Sequence, residues 1–181
     1  HTNISKSDIA TGVIYEANIR QYSKEGTFNA FTQDLPVLRD LGIKVVWLMP
    51  VNPISTTRSK GPLGSYYAVS DYKKVNPEFG TEDDLRVLVE KAHDLGIYII
   101  LDWVPGHTGW DHIWIKEHPE FYLKNDKGEI TDPINHQTGK SWGWTDVADL
   151  DYNNKKMQKA MTNAMMYWIE EIDIEGYRID Q

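Results

Sequence analysis

Two short segments carry residue types that could do chemistry. One is Asp102-Trp103-Val104-Pro105-Gly106-His107, directly after the apolar run Ile99-Ile100-Leu101. The other is Gly176-Tyr177-Arg178-Ile179-Asp180, itself a short strand by pattern. Side chains alternate between the faces of a strand, so Arg178 and Asp180 share one. An Arg and a carboxylate on one face make a charge-assisted pair, and the Arg keeps the carboxylate ionised. An ionised carboxylate at the carboxyl end of a strand is equipped to attack an oxocarbenium-like carbon. A structural ion pair would use the same two residues. His107 could equally be a hydrogen-bonded loop histidine, and Asp102 says little alone. The residues by themselves leave these readings open.

The aromatic content adds a second clue. There are seven Trp and ten Tyr, with Trp103, Trp110, Trp114, Trp142 and Trp144 close together. Any one Trp can be explained by core or loop packing. As a group in turn-rich sequence they suit sugar binding, because pyranose rings present flat C–H faces that stack on aromatic rings.

The elements that must hold these residues alternate in type. Gly12–Ile19 reads as a strand rich in β-branched and aromatic residues. Phe28, Phe31, Leu35, Leu38 and Leu41 recur at helical spacing and stop at Gly42, with Pro36 expected either to kink that helix or to mark a fresh first turn after Asp34. Lys44–Met49 is a continuous apolar run, as in a strand buried on both faces. A Pro-, Gly-, Ser- and Tyr-rich loop runs from Asn52 to about Gly80, and Thr81 with Asp84 marks a helix start. Leu85, Leu88, Val89, Ala92 and Leu95 make one stripe, closed by Gly96, and Ile97–Leu101 is a further apolar strand. A polar and aromatic excursion covers Thr108 to about Asp151, and a last helix opens at Asn153 before the strand Gly176–Asp180.

The order β-α-β-α-β-α-β implies a parallel α/β sheet. An open doubly wound sheet and part of a closed (β/α)8 barrel both fit. The first βα turn, Tyr22-Ser23-Lys24-Glu25-Gly26, lacks the glycine pattern of a phosphate loop, and the long loops follow strands, so the barrel is favoured.

Composition narrows the partners. The 181 residues are 40% hydrophobic and 25% charged, as in an ordinary globular domain. The net charge of −8 repels phosphate backbones and anionic lipid, so neither nucleic acid nor membrane is an expected partner. No cysteine is present, which excludes disulfides and thiolate chemistry. No apolar run is long enough to span a bilayer. The start His1-Thr2-Asn3-Ile4-Ser5 has no signal-peptide pattern, though Asn3-Ile4-Ser5 fits a glycosylation triplet, and the compartment stays open.

Four segments, which lie in the family's order along the chain, resemble the α-amylase family, glycoside hydrolase family 13. Asp102–His107 resembles the family's Asp-x-Val-x-Asn-His segment at the end of the third strand, and Gly176–Asp180 its Gly-(Phe/Tyr)-Arg-x-Asp at the end of the fourth. Tyr67-Ala68-Val69-Ser70-Asp71-Tyr72, continuing to Asn76-Pro77-Glu78-Phe79-Gly80-Thr81, is similar to the loop after the second strand. Trp144-Thr145-Asp146-Val147-Ala148-Asp149-Leu150 resembles the segment that leads into the third helix. The resemblance implies the first four strands and three helices of a TIM (β/α)8 barrel over 1–181, with 108–151 as a short domain B excursion.

The same resemblance implies roles. Asp180 matches the nucleophile that forms a covalent glycosyl-enzyme, and Arg178 the residue that holds it. Tyr67 and His107 match groups that bind the sugar being cleaved, and Asp102 a supporting carboxylate. The expected activity is retaining hydrolysis of α-glucosidic linkages in glucans or malto-oligosaccharides. Transglycosylation or isomerisation through the same intermediate, and a non-catalytic barrel or half-barrel fragment, are the alternatives. Two departures matter. Gly106 stands where the family usually has Asn, a common ligand of a structural calcium, so no calcium and no other metal or cofactor is expected. The family's general-acid Glu and its third carboxylate have no counterpart before Gln181, so these 181 residues alone are expected to be inactive.

Overall fold

The structure is a computed structural model that describes residues 13–58 and 64–180. Four strands, β1 (Val13–Ala17), β2 (Ile43–Leu48), β3 (Tyr98–Trp103) and a last strand at Gly176–Ile179, form one sheet. Between them run α1 (Ile19–Tyr22) and α2 (Phe28–Asp40) before β2, and α3 (Glu82–Asp94) before β3. Then come β4 (His107–Gly109), α4 (Ile113–Glu117), a 3-10 turn at Pro119–Phe121, β5 (Val147–Asp149) and α5 (Lys155–Tyr167), which continues as a π-turn over Trp168–Ile172 into the last strand, β6.

The sheet order is β1-β2-β3-β6, with every pair parallel. Each strand therefore lies beside the previous one along the chain. A doubly wound sheet reverses its order at a switch point, whereas a barrel adds strands in sequence. The observed order is the barrel's. Val45, Val46, Leu48, Ile99 and Leu101 are buried in the sheet, and Phe28, Phe31, Leu35 and Leu38 of α2 with Leu85, Leu88, Val89 and Ala92 of α3 bury one stripe each.

The joints follow from local chemistry. At the start of α3, Thr81 Oγ1 accepts from the Asp84 N–H at 3.1 Å and Asp84 Oδ2 accepts from the Thr81 N–H at 2.9 Å. Two of the first-turn donors that a helix leaves unpaired are thus satisfied. The ends of α2 and α3 repeat one device: Gly42 at φ 88 and Gly96 at φ 73 turn the chain left-handed into the next strand.

Several boundaries differ from the sequence expectation. The first strand stops at Ala17, because the Asn18 side chain accepts from the Gln21 N–H and caps α1; Gly12 lies outside the described residues. Pro36 sits inside an unbroken α2 and no fresh turn begins after Asp34, since the buried stripe continues on both sides of it. Strand β3 runs on through Asp102 and Trp103, so Asp102 is a sheet residue rather than the first residue past one. The last helix begins one turn position late, with Asn154 Oδ1 accepting from Lys156 and Met157 N–H at 2.9 and 3.1 Å.

The described residues divide into two compact units, one from 13–51, 73–103 and 166–179, the other from 52–58, 64–72, 104–165 and 180. The first holds the parallel sheet. The second holds the antiparallel pair β4–β5, in which His107 faces Asp149, Thr108 faces Ala148 and Gly109 faces Val147. Thr108 is fully buried there and shares a 2.7 Å hydrogen bond with the Tyr122 hydroxyl.

Candidate active site

In the sheet unit, register sets the first charged pair. Asp102 on β3 lies opposite Arg178 on β6, and Arg178 Nη1 donates to Asp102 Oδ1 at 3.2 Å. The Asp102 side chain is wholly shielded from solvent and that of Arg178 is 39% exposed. A buried carboxylate needs such a partner, since an uncompensated charge in the interior is costly. The Arg178 guanidinium also lies over the Trp47 ring, 5.0 Å from its centroid. Across the sheet Arg178 meets Asp102, a neighbour visible only once the parallel register is known.

Glu175 fixes that register. Its backbone N–H donates to Ile99 O at 2.9 Å, and its side-chain Oε2 accepts from the Ile99 N–H at 2.7 Å. The other carboxylate oxygen lies against His93 Nε2 at the end of α3. Burial raises the Glu175 pKa, while the Ile99 N–H and His93 oppose that rise.

In the second unit, Tyr67, His107 and Asp180 line one cavity of about 590 Å³, together with Gly106, Trp144, Asp146 and Asp149. That volume lies within the range of small-molecule sites. Tyr67 is carried by a loop tied down on both sides: Ser55 N–H donates to Ala68 O at 2.7 Å, and Gly109 N–H to Val69 O at 2.7 Å. His107 is placed by the buried Tyr72 hydroxyl, which sits 2.8 Å from Val104 O and 3.0 Å from His107 O and donates between them. Tyr72 in turn packs against the rings of His112 and Trp114, at 5.1 and 5.3 Å.

The electrostatics of the cavity are set by burial. Desolvation holds the His107 pKa below the ordinary histidine value, against the pull of Asp180 and Asp146. A neutral imidazole offers one donor and one acceptor, and His107 Nδ1 is buried with no hydrogen-bond partner among the described residues. Asp149 is pushed up to about 6, chiefly by burial, with His136 and the Leu150 N–H acting the other way.

Of the sequence-derived candidates, Tyr67, His107 and Asp180 share this cavity, whereas Asp102 and Arg178 are sheet residues in the other unit. Asp146 and Asp149 were missed as cavity residues. The signal for Asp149 was its place opposite His107, which needs the pairing of two three-residue strands to become visible. The five-Trp group also divides. Trp103 is core, at 1% exposure. Trp110 donates to Thr145 O at 2.9 Å and carries Arg58 over its ring, and Trp114 packs on Tyr72, His112 and Phe121. Trp144 is left at the cavity wall with Trp142 stacked on it.

A family model described as the alpha amylase catalytic domain matches residues 6–181, and the chain belongs to that family. It is 30% identical over 184 residues to maltase 1 of Drosophila virilis, covering 86% of this chain and 28% of that protein. It is also 30% identical over 200 residues to a trehalose synthase of Pimelobacter sp. (strain R48), covering 94% and 34%. The crystal structure of an alpha-amylase from Lactobacillus plantarum superposes with a TM-score of 0.88 at 36% identity, over 97% of this chain and 39% of that one. The chain thus spans about a third of the length of its curated relatives. The parallel sheet and its helices are the first four strands and three helices of a (β/α)8 barrel.

Proposed function

We propose that this chain supplies the nucleophile side of a retaining glycosidase acting on α-glucosidic linkages of glucans or malto-oligosaccharides. The observation that carries the reading is that Asp180, His107 and Tyr67 line one cavity. Asp180 would attack the anomeric carbon as the glycosidic C–O bond breaks, leaving a glycosyl ester on its carboxylate. A second carboxyl, which retaining enzymes hold roughly 5–5.5 Å from the nucleophile, would protonate the departing oxygen and then activate water to release the sugar. Tyr67 would stack under the ring and His107 would bond its hydroxyls. Arg178 and Asp102, paired across the sheet at 3.2 Å, would keep the strand end that leads to Asp180 in place. In an enzyme that also carries the second carboxyl, replacing Asp180 by Asn should cut turnover of a malto-oligosaccharide by several orders of magnitude and leave the thermal midpoint unchanged. A near-normal rate would remove Asp180 from the mechanism.

We propose that Gly106 does not serve as a calcium ligand. A hard cation takes about six to eight oxygens. Gly106 offers no side-chain oxygen, although a Cβ there would meet nothing within 4 Å, and its carbonyl already accepts from the Leu150 N–H at 3.1 Å. No step is routed through a metal. A second reading, transfer of the glycosyl group to a sugar rather than to water, is favoured by the likeness to a trehalose synthase. Product analysis with and without an added acceptor sugar separates the two.

A further inference from the structure

Two large apolar rings stand in water at the rim of the cavity. Trp142 is 53% exposed and Trp144 47% exposed, and the two stack with centroids 5.7 Å apart at 17°. Trp144 lines the cavity, with its ring 6.4 Å from that of His107; Trp142 does not line it. The pair is held by ordered backbone. Trp142 N–H donates to Pro133 O at 3.1 Å, Asn135 N–H to Lys140 O at 2.8 Å, and Gly143 N–H to Ser141 Oγ at 2.9 Å. Ile134 and Ser141 form an antiparallel bridge between the two arms. The hairpin therefore presents both rings in a set orientation, so little ordering is left for a ligand to impose.

We propose that Trp142 and Trp144 form a sugar-stacking platform that carries an α-linked glucan from the cavity outward, with Trp142 holding units beyond those the cavity takes. The proposal rests on the glycosidase reading and adds a preference for long over short substrates. Continuity is the reason to choose a glucan as the occupant. One ring belongs to the cavity wall, and the other stacks on it without lining the cavity and is itself 53% exposed. A glucan is uncharged and offers alternating C–H faces and hydroxyls, which match aromatic rings flanked by polar side chains. The segment leading into Trp142 is polar, with Asn135, Thr138, Lys140 and Ser141 along it. Two rings alone make too small an apolar area for a stable protein interface, which buries about 800 Å² on each partner.

The test compares maltose with maltoheptaose by calorimetric titration of the intact protein and of its Trp142→Ala and Trp142→Tyr variants, with the thermal midpoint checking that each is folded. Trp142→Ala should weaken maltoheptaose about tenfold, the size of one aromatic contact, and leave maltose unchanged. Trp142→Tyr, which keeps a ring, should recover most of the loss. Equal affinity of parent and Trp142→Ala for maltoheptaose would overturn the platform while leaving the glycosidase reading intact, as would an equal loss for both sugars. A parent protein that binds neither sugar would overturn both.

Discussion

At the scale of single residues, the cavity sets groups against their ordinary titration behaviour. Asp149 is the clearest case. Its carboxyl is pushed up to about 6 by burial, against about 3.9 for an unfolded Asp. Between those values the folded chain keeps a proton that the unfolded chain has released, so this group makes stability fall as pH rises through that window. Asp149→Asn stays neutral throughout. In urea melts across pH, the variant should match the parent below about pH 4 and exceed it above about pH 6. A variant less stable than the parent at neutral pH would mean that the ionised Asp149 has a favourable partner in the fold. Asp149 could not be picked out beforehand, because its burial depends on the β4–β5 pairing. His107, Tyr67 and Asp180 were singled out together only through the resemblance to the family, and the structure adds that they line one cavity. Trp103 shows the opposite failure: an aromatic in a site-like segment turns out to be core, at 1% exposure.

At the scale of elements, Glu175 sets the packing of β6 on β3. Its backbone and carboxylate both bond Ile99, and this brings β6 beside β3 with Arg178 opposite Asp102. Glu175→Ala would leave the Ile99 N–H without its side-chain acceptor and His93 Nε2 without its carboxylate. A buried donor left unpaired costs about 1–3 kcal/mol, so chemical denaturation should show a loss of about 2 kcal/mol. Glu175→Gln, which keeps an acceptor oxygen, should lose less. Equal losses would show that the carboxylate's charge against His93 dominates. The alternation of strands and helices was readable because each long element keeps its period: α2 and α3 bury one stripe, and β2 and β3 are near-continuous apolar runs. Strands β4 and β5, at three residues each, are too short to show any period, and their partners lie about forty positions apart along the chain. The continuation of β3 through Asp102 was hidden for another reason: a buried charge looks like a strand end until its partner is known.

At the scale of the whole molecule, the sheet has β1 and β6 as its edges among the described residues, and such edges accept further strands. The misfit of Gly106 to a calcium ion predicts that chelator leaves the melting temperature of the intact protein unchanged. A drop on chelation that calcium reverses would mean that backbone carbonyls and other carboxylates hold the ion. The central claim is that Asp180 attacks an α-glucoside. It is tested most directly with a fluorinated α-glucosyl fluoride, whose leaving group departs without protonation, so the nucleophile is read apart from any general acid. After incubation of the intact protein, digestion and mass spectrometry of the peptides should find one added sugar, on the carboxylate of Asp180, and none in Asp180→Asn. A label on another residue, or an equal label in the variant, would contradict the account.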